Sequence, residues 1–100
     1  MDKNAYINTF IDKLISLNYD GLYKFFTKET IVYKIDEKVI IDVSSFLEEQ
    51  KVLFQGKEVK RGRIFSNDVC IKYELLIDGI LHHYYFEVKD RRISRIEISK

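Results

Sequence analysis

The chain has 100 residues, of which 46% are apolar and 14 are Phe or Tyr, so it has enough apolar surface for one modest core. Lys and Arg (17) nearly balance Asp and Glu (16), and the net charge of +1 provides no general attraction to nucleic acid or to an anionic membrane. We therefore expect a single globular domain over residues 1–100, with neither nucleic acid nor a membrane as a partner.

The composition also indicates a compartment. Cys70 is the only cysteine, so no disulfide can form within the chain, and the first residues lack the pattern of a secretory signal. No apolar run approaches the roughly 18 residues that a membrane span needs. A cytoplasmic location is the expectation.

Three helices are predicted in the first half of the chain. The first covers residues 4–17, where apolar residues recur at spacings of three and four. The second is a short helix in the sequence GLYKFFT, for which Asn18 and Asp20 offer an N-cap. The third covers residues 43–54 and begins after Asp42.

The other apolar segments have the composition and the alternation of strands. The predicted strands lie at 30–35, 38–41, 58–65, 69–77, 80–88 and 93–98. Helices followed by an antiparallel meander predict an α+β fold, in which three helices pack on one face of a curved, mainly antiparallel sheet.

A hairpin turn at Asp78-Gly79 fixes the register of two of these strands. The pairs expected on the inner face, toward the helices, are Ile77–Ile80, Leu75–His82, Tyr73–Tyr84, Ile71–Phe86 and Val69–Val88. The pairs expected on the outer face are Leu76–Leu81, Glu74–His83, Lys72–Tyr85 and Cys70–Glu87. The adjacent residues His82 and His83 therefore point to opposite faces and cannot chelate one metal ion, and we predict neither a metal site nor a cofactor.

The order of the elements resembles the NTF2-like superfamily, the cone-shaped fold of SnoaL-like cyclases, ketosteroid isomerases and nuclear transport factor 2. The resemblance covers essentially the whole chain. It rests on the first helix, on NYDGLYKFFTKETIVYKI, on the helix at 43–54 and on the closing FEVKDRRISRIEI. Arg91 departs from it, since that ending usually has Gly there. The resemblance implies a cavity between the helices and the concave sheet face, and dimers formed through the sheet.

One known chemistry of this superfamily can be tested by position. Aligned without gaps, the ketosteroid isomerase pattern would place its oxyanion-binding tyrosine at Phe10 and its general-base aspartate at Lys34. Phe10 cannot donate a hydrogen bond to an enolate, and an unperturbed Lys34 is protonated at neutral pH. That reaction by that route is therefore not expected.

Three functional hypotheses follow, and the sequence leaves open whether the protein is an enzyme. In the first, a small, mostly apolar ligand lies between the first helix and the inner sheet face. Its predicted lining is Phe10, Leu14, Lys34, Tyr73, His82 and Tyr84, with Lys34 meeting an anionic group. In the second, the cavity is filled and the protein is a dimeric interaction module, with Leu76 and Leu81 among the covered apolar residues. In the third, His82 is the acid–base residue of a cyclase, isomerase or dehydratase.

Overall fold

The computed structural model describes residues 2–100 as two α-helices and one six-stranded mixed sheet. The helices are α1 (Lys3–Ile15) and α2 (Val43–Phe54). The strands are β1 (Phe26–Lys34), β2 (Val39–Ile41), β3 (Val59–Ser66), β4 (Cys70–Ile77), β5 (Ile80–Lys89) and β6 (Arg92–Ser99). The order across the sheet is β2-β1-β6-β5-β4-β3, and only β1 and β6 run parallel within this range. The predicted α+β class is confirmed.

The predicted count of three helices is wrong. The sequence GLYKFFT forms only a single 3-10 turn, Leu22–Phe25, after Gly21, which has a left-handed backbone and provides no side-chain cap. Phe26 then begins β1 and pairs with Ile93 of β6. Leu22, Phe25 and Phe26 satisfy a helical spacing, but they are buried in the core without a second helical turn.

Both α-helices begin at an aspartate that caps them. Asp2 accepts a hydrogen bond from the amide of Ala5 (2.9 Å), and Asp42 accepts one from the amide of Ser45 (2.7 Å). These bonds satisfy amides that have no partner inside the helix. The start of α2 after Asp42 is as predicted.

The predicted hairpin register is confirmed from Ile77–Ile80 to Cys70–Glu87. Asp78 and Gly79 both have positive φ (50° and 79°), as a type I′ turn requires. Only the outermost pair, Val69–Val88, is wrong. The side chain of Asn67 accepts hydrogen bonds from the amides of Val69 and Cys70, so the preceding turn includes Val69 and leaves it exposed.

The turn between β5 and β6 has the same shape but no glycine. Asp90 and Arg91 have φ of 52° and 61°, and Lys89 pairs directly with Arg92. A left-handed conformation costs a residue with a side chain about 1–2 kcal/mol. The departure from the family ending at Arg91 is therefore accommodated by a strained turn of the same type.

Strand β3 is interrupted by a bulge. Arg61 pairs with Leu75 and Ile64 pairs with Tyr73, so Gly62 and Arg63 together oppose Glu74. The bulge places Arg63 on the outer face of the sheet, where its Nε donates a hydrogen bond to Glu74 Oε1 at 3.0 Å.

The expected pairing of Glu74 with His83 on the outer face is confirmed, but the expectation that the pair lies exposed at the surface is wrong. Only 3% of Glu74 is exposed, and its carboxylate lies near Arg63, Lys72 and His83. Burial works to raise the pKa of this carboxyl, but the hydrogen bond and charge of Arg63, with the charges of Lys72 and His83, hold the pKa below its ordinary value.

The core lies between the inner face of the sheet and the two helices with the 3-10 turn. Its centre is Phe10, whose ring contacts Phe25, Phe26 and Phe86 at centroid distances of 5.4, 5.5 and 5.8 Å. Neither α-helix of residues 2–100 is long and apolar enough to cross a membrane.

Candidate functional site

A cleft of about 540 Å³ lies between α2 and the adjoining ends of β1, β5 and β6. We call it the α2 cleft. Its lining residues are Lys34, Asp36, Glu37, Glu48, Glu49, Gln50, Val52, Leu53, His82, Tyr84, Ile98, Ser99 and Lys100. Val52, Leu53 and Ile98 supply apolar surface, and most of the charged residues come from α2 and from the chain after β1. The volume is in the range of small-molecule sites.

His82 lies on the inner face of β5 and is 7% exposed. No residue of 2–100 forms a hydrogen bond with the ring of His82, and its nitrogens are not sealed from solvent, because the fully buried unpaired side-chain atoms of this range are Tyr19 Oη and His83 Nδ1. Burial lowers the pKa of His82, and the nearby charges of Lys100 and His83 lower it further. At neutral pH the ring is therefore uncharged and offers one donor and one acceptor to the cleft.

Tyr84 lies beside His82 on the same face and is held in place. Its hydroxyl donates a hydrogen bond to Oε1 of Gln50 on α2 at 2.6 Å. Burial raises the pKa of Tyr84 well above its ordinary value, and the nearby Tyr19 adds to this effect. Tyr84 is therefore a neutral, fixed hydrogen-bonding group in this wall.

Gln50 was missed by the sequence analysis, although a signal was present. It stands on the buried stripe of α2 at intervals of four residues from Phe46 and Phe54. A polar side chain on an apolar stripe needs a buried partner, and Tyr84 is that partner.

Lys34 reaches the cleft from the end of β1, but its charge is already paired. Its Nζ lies 2.8 Å from Glu37 and 2.7 Å from Glu49. Hydrogen bonds to these two carboxylates raise the pKa of Lys34, so it stays protonated. The expectation that Lys34 meets an anionic group of a ligand conflicts with this arrangement.

The other predicted lining residues lie elsewhere. Phe10 and Leu14 are completely buried in the core under α1. Tyr73 is also buried, and its hydroxyl donates to Asn8 Oδ1 at 2.9 Å and accepts from Arg61 at 2.5 Å. Of the six predicted lining residues, Lys34, His82 and Tyr84 lie together in the cleft. Phe10, Leu14 and Tyr73 lie apart from them, because the aromatic cluster around Phe10 fills the space between α1 and the sheet.

His83 lies on the outer face, with its Nδ1 3.3 Å from Glu74. Among residues 2–100, no three His, Cys, Asp or Glu side chains are arranged to hold a metal ion. The protein is thus an α+β domain with a candidate small-molecule site, the α2 cleft, in which an uncharged histidine faces a partly apolar cavity.

Comparison with known proteins identifies the fold. No family model matches the sequence, and no curated protein matches it either. Solved structures do match. An NTF2-like protein of unknown function from Cytophaga hutchinsonii superposes with a TM-score of 0.74 at 10% identity, over 99% of this chain and 89% of that one. A protein named as a candidate polyketide cyclase from Sinorhizobium meliloti gives 0.75 at 18% identity, over 95% and 94%.

A third match is a protein with a ketosteroid isomerase-like fold from Catenulispora acidiphila, whose structure is a complex with trimethylamine. It gives a TM-score of 0.73 at 7% identity, over 95% of this chain and 84% of that one. The chain therefore has the NTF2-like fold, and the resemblance stated from the sequence is confirmed at that level. Because these identities are low and the fold hosts different activities, the fold does not select a reaction.

Proposed function

We propose that this protein binds a small, mostly apolar ligand in the α2 cleft, with one hydrogen-bonding group of the ligand against His82. The observation that carries the proposal is the position of His82, a largely buried ring whose nitrogens have no partner in the described chain and are accessible from the cleft. A ligand group that replaces water as the hydrogen-bond partner of this ring contributes about 0.5–1.5 kcal/mol to binding. The neighbour from Catenulispora acidiphila offers a precedent for a small molecule in this fold.

The hypothesis of a cyclase, isomerase or dehydratase depends on the same histidine. Lys34 is held by two carboxylates and Tyr84 by Gln50, so neither is free to transfer a proton. The remaining titratable partners for His82 are the carboxylates in the lining of the cleft, none of which hydrogen-bonds to it within residues 2–100, and we therefore place binding before catalysis.

We expect the substitution His82→Leu to weaken binding without loss of stability. A thermal-shift screen of small apolar molecules that carry one hydroxyl, 4-propylphenol among them, supplies probes whose affinities are then measured by NMR titration. For those probes H82L should raise Kd severalfold, up to about tenfold, because the hydrogen bond is lost. The melting temperature should change little, because leucine retains apolar packing at this position and the ring of His82 makes no hydrogen bond within residues 2–100.

The matched control is His83→Leu, which removes the neighbouring histidine from the outer face and should leave Kd unchanged. Acid should also weaken binding to the wild type, since protonation of His82 below its lowered pKa removes its acceptor. A screen without any stabilising molecule, or a large fall in stability in H82L, would contradict the proposal.

We also propose that the outer face of the sheet pairs with a second copy of the chain. Leu81, Phe65 and the partly buried Leu76 give this face apolar surface. The open α2 cleft argues against the form of this hypothesis in which the cavity is filled. Sedimentation equilibrium should show a dimer that Leu81→Glu dissociates, whereas Ile80→Glu, on the neighbouring exposed residue of the inner face, should not. A monomeric wild type would refute the pairing.

A further inference from the structure

The charges around the α2 cleft are not balanced. Its lining has two lysines, Lys34 and Lys100, and four carboxylates, Asp36, Glu37, Glu48 and Glu49. His82 is uncharged at neutral pH, so the cleft has an excess of two negative charges. An anionic ligand would meet repulsion at this mouth, and a cation would meet attraction.

One of the two positive charges, that of Lys34, is already paired. Lys34 lies between Glu37 and Glu49, at 2.8 and 2.7 Å. Asp36 accepts a hydrogen bond from the backbone amide of Lys100 at 2.9 Å. Glu48, by contrast, is exposed and has no ion pair within residues 2–100. Of the four carboxylates at the mouth, that of Glu48 alone has neither an ion pair nor a hydrogen bond within residues 2–100.

Glu48 and the apolar surface of the cleft are adjacent on α2. Val52 is four residues after Glu48, so both side chains lie on the same side of the helix, about 6 Å apart along its axis. A molecule that lies along this surface can therefore place one end beside Glu48 and its body against Val52 and Leu53, and extend to His82 on the opposite wall.

On the basis of the proposed function, we infer that the ligand is a small amine that is protonated at neutral pH. Its ammonium group lies beside Glu48 at the mouth, its apolar body contacts Val52, Leu53 and Ile98, and its hydrogen-bonding group reaches His82. The proposed function requires only that the ligand have an apolar body and one hydrogen-bonding group. The inference adds a positive charge and so specifies the chemical class of the ligand.

Three probes with one body and different charges test the inference. Tyramine is a cation, 4-propylphenol is neutral and 3-(4-hydroxyphenyl)propionate is an anion, while all three carry the same phenol for His82. We expect tyramine to bind about fivefold more tightly than 4-propylphenol, and the propionate to bind most weakly, in NMR titrations at low ionic strength. Added salt should reduce these differences.

The charge of Glu48 is tested by Glu48→Lys, with Glu29→Lys as the matched control. Both variants change the net charge by the same amount, but Glu29 is an exposed residue of β1 outside the cleft. E48K makes the numbers of lysines and carboxylates around the cleft equal, so it should remove the preference for tyramine over the propionate, and E29K should preserve the wild-type order.

The outcomes separate this inference from the proposed function. If 4-propylphenol binds as tightly as tyramine, or if E48K leaves the order of the probe affinities unchanged, the inference that the ligand is a cation is refuted. The proposed ligand site at His82 is not affected by that result. If none of the three probes binds at about 10 mM, both inferences are overturned.

Discussion

Replacing Phe10 with alanine is expected to remove about 3–5 kcal/mol from the free energy of unfolding. The Phe10 side chain is completely buried, and its ring contacts the rings of Phe25, Phe26 and Phe86. These rings come from the 3-10 turn, β1 and β5, so the cavity left by the substitution has rigid walls on several sides and cannot collapse. Denaturation by urea, monitored by circular dichroism, measures the loss.

The control for Phe10→Ala is Tyr23→Ala, because Tyr23 is an aromatic residue with 61% of its surface exposed. It should change the free energy of unfolding by no more than about 1 kcal/mol. The comparison also decides the role of Phe10, which the sequence analysis placed in a ligand pocket. A pocket residue would lose affinity for the probes with little loss of stability, and that result would contradict the core position seen here.

The parts of the fold that follow from local rules were predicted correctly. Asp78-Gly79 determines a two-residue turn, and the two-residue period of strands then determines the face of every residue that follows. His82 and His83 could therefore be assigned to opposite faces before the structure was known. The start of α2 was equally local, since it depends on the side chain of Asp42.

The position of the cleft was not predicted, because it depends on how elements distant in sequence pack together. The spacing of Phe10 and Leu14 on one stripe is the same whether that stripe faces a cavity or a packed core. The pairing of Lys34 with Glu49 joins β1 to α2, which no local pattern indicates. The sequence could thus supply three residues of the cleft, Lys34, His82 and Tyr84, without indicating that α2 forms its other wall.

The bulge at Gly62 has a local signal in the sequence, but its consequences depend on contacts with another strand. An isolated glycine inside a strand pattern is itself a signal of a bulge or of a close backbone approach. The sequence analysis predicted a strand over 58–65 without a bulge, and in a regular strand Arg63 would lie on the same face as Arg61, which pairs with Leu75. The bulge moves Arg63 to the outer face, and this explains both the burial of Glu74 and the ion pair that it forms.

Gly62→Val is expected to destabilise the protein by about 1–3 kcal/mol, because there is no space for a side chain. A Cβ at this position would lie 3.0 Å from Cβ of Glu74 and 3.1 Å from its carbonyl oxygen. Both atoms belong to β4, which pairs with strands on both of its sides and cannot move away. The free energy of unfolding, measured by urea denaturation, should fall accordingly.

The control is Gly79→Ala, where φ is +79° but no atom lies within 4 Å of the added Cβ, so only backbone strain is introduced.

The two variants should differ in how their loss of stability depends on pH. Because Arg63 holds the pKa of Glu74 low in the folded state, their ion pair stabilises the protein above the ordinary glutamate pKa of about 4.3 and loses that effect as pH falls through the lowered pKa. If G62V displaces Arg63, its deficit relative to the wild type should be larger at pH 7 than at about pH 3, whereas the deficit of G79A should be nearly constant. A deficit of G62V that is the same at both pH values would show that the bulge does not hold the Arg63–Glu74 pair together.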